Sequence, residues 1–130
     1  MDSLPVAPQP HKLKNRRFKD RLGFAAAGIA LAARRERSFR TQALLGAAAL
    51  TMVAILRPGL LWAAIVFLSI AFVLALEMVN AALEALTDHL HPGFASEIGK
   101  AKDMAAGAVL LASIASLGVG AAMLLSCSPA

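Results

Sequence analysis

Glu77, Asn80, Glu84 and Asp88 recur at intervals of three and four residues within ALEMVNAALEALTDHL (75–90). Around a helix with 3.6 residues per turn they fall at about 0°, 300°, 340° and 20°, so one face carries all four. Carboxyl groups so arranged are hard oxygen ligands of the kind Mg²⁺ takes one or two at a time, phosphate oxygens and water completing its shell. A carboxylate among them can also accept a proton from an alcohol. Bases nearby would bind phosphate, and Lys100, Lys102 and the RRER segment (34–37) are candidates.

The position of the stripe narrows its chemistry. Leu60–Leu76 carries no charge, and Glu77 lies about 25 Å along a helix from Leu60, near the inner boundary of a bilayer's hydrocarbon core. Asp88 lies about 16 Å further, in cytoplasmic water. An ionisable group within a span is costly and by default marks a functional site. The structural alternatives are interhelical glue for Asn80 and a solvated helix end for Asp88. A metal, phosphate-binding bases and a general base at a lipid boundary point to phosphoryl transfer onto a lipid hydroxyl. The Gly-Lys of IGKAKD (98–103) lacks the upstream glycine and the Ser/Thr of a P-loop, so a nucleotide site would be built without one.

The elements that position these groups follow from composition. The 130 residues are 58% hydrophobic and 16% charged, with no Tyr and a mean hydropathy of +0.67. That composition describes a single integral membrane domain rather than a soluble one. Cys127, the single cysteine, excludes an internal disulfide, and no Cys/His spacing suggests zinc.

Residues 1–14 are Pro-rich at their start and are expected to be disordered. From about 15 to 34, Phe18, Leu22, Ala25, Ala26, Ile29 and Ala33 recur at helical spacing among Arg16, Arg17, Lys19 and Arg21, which suits a helix lying in the interface. A soluble amphipathic helix packed on a partner is the alternative. Three spans follow, at about 39–57, 60–88 and 102–126. Arg57-Pro58-Gly59 breaks the first from the second, and HPGFASEIG (91–99) is a loop in which Ser96 could cap the last helix.

Of the thirteen Lys and Arg residues, ten precede the first uncharged run (41–56), Arg57 sits in the first turn, and Lys100 and Lys102 sit in the next loop. The positive-inside rule therefore places the N-terminus in the cytoplasm and the C-terminus outside. A nucleic-acid tail finds no aromatic interleaving to support it. A cleaved signal peptide is not expected, because about forty residues precede the first apolar run. Small residues along the third span (Ala105, Ala106, Gly107, Ala112, Ala115, Gly118, Gly120, Ala121) permit close helix approach, and three spans enclose a polar site poorly, so a homo-oligomer is expected.

Three stretches, RERSFRTQ (35–42), LEMVNAALEALTD (76–88) and GKAKDMAAGAVLL (99–111), together resemble the small prokaryotic diacylglycerol kinases, a family that includes the undecaprenol kinases. The similarity covers roughly residues 15–126. It implies an all-α integral membrane fold, an interfacial helix plus three spans, assembled as a homotrimer in the bacterial inner membrane with sites shared between subunits. ATP would be the phosphoryl donor and Mg²⁺ the cofactor, with a membrane lipid as acceptor and no nucleic-acid partner. By position, Glu77 resembles the family's catalytic base, and Asn80 and Asp88 match further active-site positions. Glu36 and Glu84 match metal ligands bridging to ATP. Lys102, Asp103 and Arg17 match nucleotide-site residues.

Departures from the family pattern bear on specificity. Gly93 and Ala95 stand where some members place an acid and a histidine against the adenine base. Phe24 replaces a tyrosine, keeping the stacking surface without the hydroxyl. Gln42 replaces an acid and Ala106 a serine near the lipid end. GKAKDM leans toward diacylglycerol as acceptor, whereas FAAAGIALAARRERSFR (24–40) partly resembles the undecaprenol-preferring branch. Outside kinases, a small ion-conducting oligomer with Glu77 as the ion-binding carboxyl is the alternative, as is a purely structural bundle subunit.

Overall fold

The computed structural model describes residues 17–127, which form four helices and the short segments that flank and join them: α1 (Phe18–Arg35), α2 (Arg37–Leu56), α3 (Leu60–Leu90) and α4 (Ser96–Cys127). Lys12, Lys14, Arg16 and the 1–14 segment lie outside the described residues.

Helix α1 has Asp20 in its first turn and Arg34 and Arg35 in its last, charges that complement the helix dipole. None of its residues is buried, and Phe18, Leu22, Phe24, Ile29 and Leu31 are exposed. A single extended residue, Glu36 (φ −95°, ψ 112°), separates α1 from α2 and serves both ends. Its N–H donates to the Ala32 carbonyl at 2.8 Å, and its own carbonyl accepts from the Arg40 N–H at 3.2 Å. The Arg40 guanidinium also donates to the Arg34 carbonyl at 2.9 Å, satisfying a backbone group that the end of α1 leaves open.

Helices α2, α3 and α4 are each long and apolar enough to cross a membrane. The turn between α2 and α3 forms as the sequence dictates. Arg57, unable to continue the helix ahead of Pro58, takes a left-handed conformation (φ 48°, ψ 55°), and Gly59 takes φ 98°, which a side chain would resist. At the other end, Ser96 is the first residue of α4 rather than the residue before it. The carbonyl of Ala95 accepts the first helical bond, from the Gly99 N–H at 3.0 Å, so the capping role expected of Ser96 is not the one it has.

With 31 residues, α3 is about 46 Å long, more than the hydrocarbon thickness. Its surplus is the C-terminal stretch that carries the acids. The first α4 turns, with Lys100 and Lys102, extend alongside that stretch.

Helices α2 and α3 run antiparallel in a register fixed by two contacts. Ser38 meets Glu77, and Gly46, eight residues on, lies against Ile70, seven residues back. The buried apolar residues Phe39, Val66, Val73, Val109, Ala112 and Met123 join α2, α3 and α4. Two polar contacts cross the same bundle: Gln42 donates to Ser113 Oγ at 3.1 Å, and Ser116 donates to Ser69 Oγ at 3.2 Å. Leu44, Ile55, Leu61, Phe67, Leu68, Phe72, Leu111 and Leu125 point outward, as side chains meeting lipid do.

Candidate functional site

Glu77 sits where α3 begins its overhang, and among the described residues it is the one polar side chain that is buried, with 4% of its surface exposed. Ser38, in the first turn of α2, donates from Oγ to Glu77 Oε1 at 2.5 Å. No ion pair among the described residues involves Glu77. The RRER segment (34–37) makes no hydrogen bond to Glu77 among the described residues; the residue after it, Ser38, does.

One turn further along α3, Asn80 donates from Nδ2 to Glu84 Oε1 at 3.2 Å. The other amide atom, Asn80 Oδ1, is buried with no hydrogen-bond partner, an arrangement that costs stability unless a ligand satisfies it. The antiparallel register carries Glu36, two residues before Ser38, to the level of Asn80 on α3. Glu36 and Glu84 are both half-buried. Thr87 follows one turn on, its hydroxyl donating to the Leu83 and Glu84 carbonyls at 2.9 and 3.0 Å.

At the outer end of the stripe Asp88 pairs with Lys102 across the α3–α4 loop, and Lys100 pairs with Glu97 at 2.6 Å on its own helix. The face predicted from spacing is therefore divided among three partners: α2 for Glu77, a neighbour on the same helix for Glu84, and α4 for Asp88. Asp103 is exposed at the start of α4.

Arg17 is not brought to this cluster. A continuous helix separates Arg17 from Glu36, a span of about 28 Å at 1.5 Å per residue, too long for one side chain to bridge. Phe24 shares a shallow surface recess of about 480 Å³ with Lys19, Asp20, Gly23 and Ala27.

The donor set suits Mg²⁺. Glu84, bonded to Asn80, and the half-buried Glu36 are hard oxygen donors, of the type that this ion takes one or two at a time while phosphate and water fill the rest of its shell. No group of three His, Cys, Asp or Glu side chains gathers among the described residues.

Below the cluster, α2, α3 and α4 enclose a cleft of about 550 Å³ whose lining includes Gln42, Gly46, Ile70, Val73, Ser113 and Ser116. It is apolar apart from Gln42 and the two serines, and Val73 and Gln42 each lie one helical turn from the Glu77–Ser38 pair.

Residues 23–124 match the family model described as prokaryotic diacylglycerol kinase. This chain belongs to the prokaryotic diacylglycerol kinase family. The matched region takes in every candidate site residue except Arg17. A relative from Synechocystis sp., named diacylglycerol kinase, is 39% identical over 103 residues, covering 78% of this chain and 59% of the relative. The chain thus aligns with less than two-thirds of that relative's length.

Sequence reasoning missed Ser38, whose contact with Glu77 depends on the α2–α3 register. It also missed the Gln42–Ser113 and Ser69–Ser116 links. Inward-facing hydroxyls at helical spacing in the third span were the available signal for both links.

Proposed function

We propose that this chain is a lipid kinase that transfers the γ-phosphoryl group of ATP to the hydroxyl of a membrane lipid, with diacylglycerol as acceptor and phosphatidic acid as product. The observation that carries the proposal is Glu77. It is a buried carboxyl group at the lipid boundary, with a cluster of metal-type oxygens one to two turns toward the cytoplasm and an apolar cleft on its other side.

In this reading Glu77 accepts the proton of the lipid hydroxyl as its oxygen bonds to the γ-phosphorus. The bond from that phosphorus to the bridging oxygen breaks, and ADP leaves. Glu36 and Glu84 would hold Mg²⁺, and bound there it would neutralise charge on the phosphates. Lys102, set by Asp88, and Asp103 stand on the nucleotide side. Because Arg17 lies about 28 Å along α1 from Glu36, its part in a nucleotide site is served best if it acts on a neighbouring subunit's site. That supports a homotrimer with shared sites. Helix α1, with its exposed bases and apolar residues, suits the cytoplasmic interface of the bacterial inner membrane, the N-terminus inside and the C-terminus outside.

Undecaprenol is the second acceptor to consider, on the partial resemblance of residues 24–40 to that branch. The deciding experiment uses purified protein in mixed micelles with MgATP, comparing diacylglycerol and undecaprenol as acceptors. Faster turnover of diacylglycerol supports the proposal, and faster turnover of undecaprenol reassigns the acceptor. In the same assay Glu77→Gln should keep ATP binding and lose about 10²–10⁴-fold in turnover, as for a removed general base. Unchanged turnover in that variant would remove Glu77 from the chemistry.

A further inference from the structure

Ser38 is not part of the acidic stripe and its type alone marks it for no chemistry, yet it is the residue that touches the candidate base. We propose that Ser38 is a positioning residue for phosphoryl transfer. Its hydroxyl fixes the Glu77 carboxyl group so that Oε2 is presented to the incoming lipid hydroxyl. The inference rests on Glu77 being the base.

Geometry supports it at each step. A glutamate side chain has three rotatable bonds, and a base must be held in hydrogen-bonding reach of the proton it takes. The Ser38–Glu77 contact at 2.5 Å engages Oε1, and no hydrogen bond to Oε2 is made among the described residues. One oxygen is thus anchored while the other is left for substrate. The anchor comes from a different helix, so it holds the base relative to α2 and not merely to its own backbone.

Ser38 also lies in the first turn of α2. Two residues earlier is Glu36. One short segment therefore sets the base and carries a proposed metal ligand, tying the distance between them to a single turn of backbone. Ser38 itself is exposed, so shortening its side chain opens no cavity in the core.

The test is steady-state kinetics of the full-length protein in mixed micelles with diacylglycerol and MgATP, for wild type, Ser38→Ala and Ser38→Thr, alongside thermal unfolding of each. Ser38→Ala should lower kcat by about tenfold or more, the effect of losing a hydrogen bond to a charged group, with the KM for ATP and the unfolding temperature unchanged. Ser38→Thr, which keeps the hydroxyl, should return kcat to within about twofold of wild type. Wild-type kcat in Ser38→Ala would overturn the inference. So would equal losses in the Ala and Thr variants, or a loss that tracks a fall in unfolding temperature. Glu77→Gln run in parallel separates the two claims. If it is inactive while Ser38→Ala is normal, the positioning role alone fails; if it is fully active, the assignment of Glu77 fails first.

Discussion

Asn80 donates to Glu84 from the adjacent turn of α3 and leaves its own Oδ1 buried without a partner. For folding alone this is a poor arrangement, because an unsatisfied buried acceptor costs about 1–3 kcal/mol while the Asn80–Glu84 bond returns about 0.5–1.5 kcal/mol. Asn80→Leu removes both terms. Its unfolding temperature in detergent should equal or exceed that of wild type, while lipid phosphorylation falls by more than about tenfold. A stable, fully active Asn80→Leu protein would show that the amide serves neither ligand nor chemistry.

Glu36 and Glu84 are the proposed metal ligands, so their substitution should be read in the metal dependence. Glu36→Gln is expected to raise the Mg²⁺ concentration for half-maximal activity by about tenfold or more, on the scale of disturbed metal sites. Glu84→Gln, which also loses its place beside Asn80, should abolish nearly all turnover. A magnesium titration of each variant measures both effects. An ion-conducting oligomer predicts the opposite for Glu84→Gln, namely unchanged ion flux in vesicles and no kinase activity in the wild type.

Asp88 and Lys102 distinguish a structural ion pair from a functional one. Their side chains are 68% and 31% exposed, and pairs in such surroundings contribute only about 0–1 kcal/mol. Exchanging the two charges, Asp88→Lys with Lys102→Asp, should therefore leave the unfolding temperature within a few degrees of wild type. Activity should not return with the exchanged pair, because a cation placed at position 102 to meet phosphate becomes an acid. Recovery of activity in the exchanged protein would mean that the pair merely joins α3 to α4.

Much of the architecture was legible because each signal was local. Uncharged runs give the three apolar helices, Arg57-Pro58-Gly59 gives the turn between α2 and α3, and three- and four-residue spacing puts Glu77, Asn80, Glu84 and Asp88 on one side of α3. What spacing on one helix does not reveal is the register between helices. Ser38 faces Glu77 because of how α2 slides against α3, and no pattern in residues 34–42 alone encodes that. Glu36 was visible only through resemblance to a family, since an acid in an arginine-rich segment otherwise reads as a solvated charge. The assignment of Asp88 to Lys102 rather than Lys100 depends on which face α4 turns to α3, since two residues apart the lysines lie about 200° apart around the helix.

The register itself can be tested at Gly46. A Cβ added there would lie 2.6 Å from Ile70 Cγ2, closer than packed atoms tolerate, so the two helices approach at a point where only a hydrogen fits. Gly46→Ala gains about 1 kcal/mol of helix propensity and meets an overpacking cost of about 1–3 kcal/mol, giving a net loss of stability. The clash falls on the branch methyl of isoleucine, which leucine lacks. Gly46→Ala combined with Ile70→Leu should therefore be more stable than Gly46→Ala alone, although Ile70→Leu by itself is neutral or mildly destabilising. Since Gly46 lies eight residues from Ser38, a shift of α2 that relieves the single variant also displaces Ser38 from Glu77. Turnover should drop in Gly46→Ala and recover in the double variant. Unfolding temperature and kcat measured across this four-member cycle decide the matter. Additive effects in both would show that Gly46 and Ile70 are not in contact, and that α2 and α3 pair in a different register.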